Sequence, residues 1–117
     1  MVAVSVSRDQ LGPAGGAGGP SSHQSGLASL LQVLADGTRL RLVIALSGGE
    51  RNVTDLMEQL RLPQPTVSHH LGILRMNGVV QPRRDGKRVF YRLTEPPTAP
   101  GALRFSAGGA TIELTTP

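Results

Sequence analysis

Cysteine and tryptophan are absent from this 117-residue chain, and tyrosine and phenylalanine together supply only three residues. Without cysteine there are no disulfides and no thiolate metal sites, and nothing hints at an oxidising compartment. No apolar run approaches the roughly 18 residues of a membrane span. The N-terminus lacks the basic stretch, apolar core and small-residue cleavage site of a secretory signal. These absences predict a cytoplasmic protein with no membrane partner. The residues also offer no nucleophile–base pairing, phosphate loop or carboxylate dyad, so neither an enzyme nor a cofactor protein is expected. At this length one domain is the most the chain can hold.

What is present is positive charge in one place. The net charge is only +4, but residues 27–94 carry ten of the twelve Lys and Arg against five acids, Asp36, Glu50, Asp55, Glu58 and Asp85. Arg83, Arg84, Lys87 and Arg88 fall within six residues. A local basic cluster fits a polyanion partner, and a solvated charged loop is the plain alternative.

Residues 1–26 contain six Gly, two Pro and five Ser with no helical apolar period, and they read as a flexible N-terminal arm. Within them VAVSVS at 2–7 alternates like a short strand. From Leu27 the texture changes. Leu27, Leu30, Leu31 and Leu34 recur at helical spacing and predict a first amphipathic helix. Asp36-Gly37-Thr38 breaks it and caps a second helix with Leu40, Val43 and Ile44 inward, stopped by Gly48-Gly49. Asn52 caps a third helix from about Val53, with Val53, Leu56, Met57 and Leu60 on one face. A fourth follows from Gln64 to about Met76.

Val79-Val80 and Val89–Leu93 are strand-like and flank Asp85-Gly86, a strong hairpin-turn signal. Residues 95–102 form a Pro-rich linker. Residues 103–117 form a β-like tail, in which Leu103, Phe105, Ile112 and Leu114 alternate around Gly108-Gly109. The fold class is therefore mainly α with a small antiparallel β part. Two short helices about four residues apart, followed by a basic hairpin, read as a winged helix-turn-helix spanning 27–94.

The adjacent His69 and His70 lie on the fourth helix. At about 100° per residue, Leu71, Leu74 and His70 fall within about 60° of Val67, while His69 lies on the opposite side with Pro65, Gly72 and Met76. The two rings therefore do not converge on one metal, for which i, i+3 or i, i+4 spacing is needed. His70 reads as a packed boundary residue. His69 reads as outward-facing, either a DNA contact or a plain surface residue. Gln64, Thr66, Ser68 and His69 can hydrogen-bond base edges or phosphates. Arg83, Arg84, Lys87 and Arg88 suit backbone or minor-groove contact.

LADGTRLRLVIAL (34–46), NVTDLMEQLRLPQPTVSHHLGILRMNGVV (52–80) and RRDGKRVFYRL (83–93) resemble the ArsR/SmtB family of winged-helix transcriptional repressors. The resemblance covers about Leu27 to Thr94. It implies a homodimer that binds double-stranded DNA at a palindromic operator and releases it on binding an inducer, often a metal ion. Many such sensors carry a Cys-Val-Cys motif at the start of the third helix, where this chain has Asn52-Val53-Thr54. The family's other common site uses Asp, His and Glu on a helix after the wing; here stand the linker and tail, without Asp or His. Neither metal site carries over, and the inducer is left unknown. Pro63 occupies the slot of a usual Ser cap, with Pro65 inside the first turn, where a missing N–H is tolerated.

Leu27, Leu30, Leu31 and Leu34 present more apolar surface than a small domain covers, and are expected at a dimer interface. The tail would replace the family's C-terminal helix, packing as a hairpin on the dimer or pairing with VAVSVS. The expected function is a sequence-specific repressor on an inverted repeat. The rival is a winged-helix module whose basic hairpin meets an acidic protein.

Overall fold

In a computed structural model, residues 3–8, 22–107 and 109–116 are described. Four helices and six strands follow in the order β1 (Ala3–Arg8), α1 (Ser22–Leu34), α2 (Gly37–Leu46), β2 (Arg51–Asn52), α3 (Val53–Leu60), α4 (Gln64–Met76), β3 (Val80–Asp85), β4 (Arg88–Leu93), β5 (Ala102–Ala107) and β6 (Ala110–Thr115). Each break has a local cause. The Asp36 carboxylate accepts from the Thr38 and Arg39 amides at 2.9 and 3.1 Å and so starts α2. Asn52 starts α3 with a reciprocal capping box: its Oδ1 accepts from the Asp55 amide at 2.8 Å, and its own amide donates to Asp55 Oδ2 at 3.3 Å.

Two sheets flank the helices. The first is the wing, with strand order β2-β4-β3. Its register sets Val80 opposite Leu93, Arg83 opposite Phe90 and Asp85 opposite Arg88. The two residues at the tip are therefore Gly86 and Lys87, one step beyond the Asp85-Gly86 turn expected from the sequence. Gly86 takes φ +62° while Lys87 keeps a negative φ. That combination is a type II′ turn, which places Gly at the first central position. The two-residue β2 is too short to carry a periodicity and was not expected as a strand.

The second sheet has order β1-β6-β5. The β5–β6 hairpin was expected; Gly109 turns it at φ +80°, and Gly108 lies outside the described residues. The strand alternation at the N-terminus also forms a real element: β1 pairs antiparallel with β6, Val4 opposite Leu114 and Val6 opposite Ile112. The segment 1–26 read as an arm thus contains a strand and the first turn of α1. The rest of that reading, over 9–21, lies outside the described residues. The helix begins at Ser22, not Leu27, because residues 22–26 carry no apolar period to announce it. Within the expected linker, Gly101 makes a tight turn at φ +78°, and a Cβ there would meet the Thr116 carbonyl oxygen at 2.6 Å.

The core joins all these pieces. Leu42, Val43, Leu56, Val67, Leu71, Leu74 and Val80 lie at its centre. Leu103, Phe105, Ile112 and Leu114 belong to the same cluster, with β5 and β6 packed on α1. This cover changes the expected interface. Leu30 and Leu34 are buried inside the chain, whereas Leu31 is 41% exposed and Leu27 half-buried. The sheet supplies the apolar area that a bare wing-and-helix domain of this size lacks. In α2 the inward stripe is Leu42, Val43, Ala45 and Leu46, so Ile44 turns outward, contrary to expectation. Among the described residues, no helix is long and apolar enough to cross a membrane.

Candidate nucleic-acid interface

α3 and α4 are joined by three residues, Arg61-Leu62-Pro63. Arg61 adopts a left-handed conformation (φ 56°, ψ 50°) that folds the next amide, that of Leu62, back onto the Met57 carbonyl at 3.2 Å and ends α3. This costs a non-glycine residue about 1–2 kcal/mol, and in return the chain reverses within one short turn. Pro63 then sits at the N-cap of α4 without a side-chain cap, and Pro65 occupies the first turn. Val67, Leu71 and Leu74 have no exposed surface, which turns this side of α4 toward the core.

That rotation separates the two histidines, as the helical spacing predicts. His69 is exposed and His70 half-buried, with ring centroids 5.2 Å apart in an edge-to-face arrangement. Gln64 is exposed, while Thr66 and Ser68 are half-buried. Gln64 Nε2 donates to Ser68 Oγ at 2.7 Å across one turn. The pair still leaves the Gln64 carbonyl oxygen as an acceptor and the Ser68 hydroxyl hydrogen as a donor. Met76 is 86% exposed at the far end of the helix, and a Cβ added at Gly72 would meet nothing within 4 Å. The outer face is therefore polar at its N-terminal end and flat in the middle.

The wing stands beside this helix, and its four basic side chains are not equivalent. Arg83 and Arg84 point to opposite faces of β3, since side chains alternate along a strand. The Arg83 guanidinium lies over the Phe90 ring at 5.1 Å, and its Nε donates to both Glu50 carboxylate oxygens at 3.0 Å. The hydrogen bond from Arg83 holds the Glu50 carboxyl below the usual carboxylate range, and Glu50 in turn raises the Arg83 guanidinium. Arg84, Lys87 and Arg88 are exposed and, among the described residues, pair with no carboxylate. Three mobile-headed cations are thus free for a polyanion, and a fourth is already matched.

The sequence reading missed three participants. Glu50, counted above only among the acids, neutralises Arg83. Arg92 braces the wing by donating to Gln81 Oε1 at 2.8 Å. Arg39 contacts both α1 and α4. None of these leaves a local signal, because each partner is remote in sequence or on another strand. Between the wing tip and the first turn of α3 lies an open polar cleft with Asn52, Asp55 and Glu58 on one wall and Lys87 and Arg88 on the other. Among the described residues, no three His, Asp or Glu side chains gather into a metal-sized group.

A model of bacterial regulatory proteins of the arsR family matches residues 36–81, from the cap of α2 to the start of the wing. The solved transcriptional repressor BigR from Xylella fastidiosa is 46% identical to the chain and superposes with a TM-score of 0.58, covering 61% of this chain and 72% of that one. This chain belongs to the arsR family. The Biofilm growth-associated repressor of Xylella fastidiosa is 47% identical over 73 residues, 62% of this chain. The match spans 64% of that relative's own length. A homodimeric winged helix-turn-helix DNA-binding domain from Mycobacterium bovis, Mb0332, is 31% identical with a TM-score of 0.59, over 66% of this chain and 75% of its own. The winged helix-turn-helix fold is common to the arsR member and to these solved relatives, and the β1-β6-β5 sheet lies C-terminal to the span of the family model, except for β1 at the N-terminus.

Proposed function

We propose that this arsR-family chain is a sequence-specific DNA-binding repressor acting as a homodimer on an inverted repeat. One observation carries the reading: the solvent-facing side of α4, with Gln64, Ser68 and His69, stands beside a wing whose Arg84, Lys87 and Arg88 are exposed and unmatched. Hydrogen-bonding groups at the start of a helix read base edges in a major groove. Free cations on an adjacent hairpin bind phosphates without regard to sequence. The relatives named as repressors support the regulatory role, and the homodimeric Mb0332 domain supports the assembly.

In a two-fold dimer the recognition helices lie about one DNA turn apart, roughly 34 Å. Leu31 and Leu27 are the parts of the α1 stripe left for a partner. Asn52, Val53 and Thr54 at the start of α3 favour a member without a metal ligand set there. Selection of duplexes from a random-sequence pool tests the reading directly. The protein should enrich an inverted repeat, and Ser68→Ala with His69→Ala should abolish its preference over a shuffled duplex. Equal binding to selected and shuffled duplexes by the unaltered protein would remove sequence-specific reading and favour an acidic protein partner for the basic hairpin. Leu31→Lys should convert a dimer to a monomer by mass in solution.

A further inference from the structure

One guanidinium joins three helices beside the middle of α4. Arg39 lies in the first turn of α2 and is half-buried. Its Nε donates to the Val33 carbonyl in the last turn of α1 at 2.7 Å. Its terminal nitrogen lies 3.3 Å from His70 Nδ1 on α4. Its backbone amide donates to Asp36, whose carboxyl this bond holds below the usual carboxylate range. Guanidinium has only donors, so His70 Nδ1 must act as the acceptor, and the neutral ring then carries its hydrogen on Nε2. The planar fork of arginine aims two N–H groups at fixed spacing, here toward a carbonyl on one helix and an imidazole on another, a geometry that the compact ammonium of lysine does not reproduce.

We propose that Arg39 is a positioning residue for sequence reading, setting the rotation of α4 through His70. The proposal rests on the reading of α4 as a recognition helix. The apolar contacts of Val67, Leu71 and Leu74 seat one side of α4 against the core, but the hydrophobic term that drives them is itself non-directional. A directional bond from α2 to the neighbour of His69 defines how the outer face is turned. The bond is half-exposed, has a charged donor and lies one residue from the exposed His69. The wing cations, which supply non-specific attraction, do not depend on it.

The test is a double-mutant cycle on the full chain, using a duplex selected by the unaltered protein and a shuffled duplex of equal length. Arg39→Gln and His70→Leu should each lower the preference for the selected duplex by roughly tenfold. Affinity for the shuffled duplex and the salt slope should stay within about twofold, because phosphate contacts are untouched. The double variant should lose no more than either single one. His70→Asn, whose amide oxygen can replace the Nδ1 acceptor, should restore most of the preference only while Arg39 is present. Should Arg39→Gln not fold, Arg39→Lys keeps the charge without the span and should show the same loss. Unchanged preference in folded variants, or losses that multiply, would overturn the proposal. If the unaltered protein enriches no sequence, the repressor reading fails instead. The imidazole nitrogen spectrum then judges the contact alone: an Nε2-protonated His70 ring altered by Arg39→Gln upholds it, and an indifferent ring overturns it.

Discussion

Substituting the wing arginines by glutamine, one at a time, separates free charge from matched charge. Arg84 is exposed and unpaired among the described residues, whereas Arg83 is bound through Nε to both oxygens of Glu50 at 3.0 Å. Each phosphate contact contributes about 0.9 to the slope of log affinity against log salt concentration. In a two-fold dimer Arg84→Gln removes two such contacts and should flatten the slope by about 1.8. Between 50 and 200 mM salt the unaltered protein should then lose about tenfold more affinity than the variant. Arg83→Gln removes a charge that Glu50 already neutralises, so the slope should change by much less than 0.9. Glu50→Gln releases that guanidinium and should steepen the slope by up to about 1.8. Fluorescence anisotropy of a labelled duplex across the salt series measures all three. Equal flattening by Arg83→Gln and Arg84→Gln would refute the assignment, since it would mean that DNA displaces Glu50 from Arg83.

Asn52→Ala removes the side-chain half of the capping box on α3, the acceptor of the Asp55 amide, and should cost about 1 kcal/mol in urea unfolding. Leu71→Ala, at a side chain with no exposed surface, should cost about 2–5 kcal/mol by the same measurement. Asp36 and Glu50 both titrate below the usual carboxylate range in the folded chain. Their contribution to stability is therefore complete above the unfolded carboxylate range and lost as pH falls through their lowered folded values. Unfolding measured from neutral to acid pH should show this decline, and Asp36→Asn should shallow it while lowering stability at neutral pH. Gly101→Ala should destabilise through both its positive φ and the Thr116 carbonyl that a Cβ would strike, with a lower thermal midpoint as the readout.

The helices from α2 to α4 and the wing were legible because their signals are local. Asp36 and Asn52 punctuate them, and the buried side chains of α3 and α4 recur at helical spacing. The division of His69 from His70 likewise follows from a 100° step. Ile44 was misjudged because α2 has apolar residues on more than one side, so its spacing alone could not choose the buried stripe. The start of α1 was hidden for the opposite reason, since Ser22 to Gly26 give the helix no apolar face. The wing turn shifted by one residue because Asp85-Gly86 and Gly86-Lys87 both fit a Gly-containing tip, and strand register chose between them.

By itself, then, the order of residues determined the helix-turn-helix, the basic hairpin and the outward turn of His69. Neighbours three or four apart on a helix, or two apart on a strand, share a face whatever the rest of the chain does. Only the tertiary structure decided which of these groups are free. Arg83 and Glu50 meet across 33 residues, and Arg39 and His70 across 31. The tail closes over Leu30 and Leu34, and β1 returns to pair with β6 near the other end of the chain. No local period records such meetings, because they depend on how separate elements pack and on which charges that packing brings within reach.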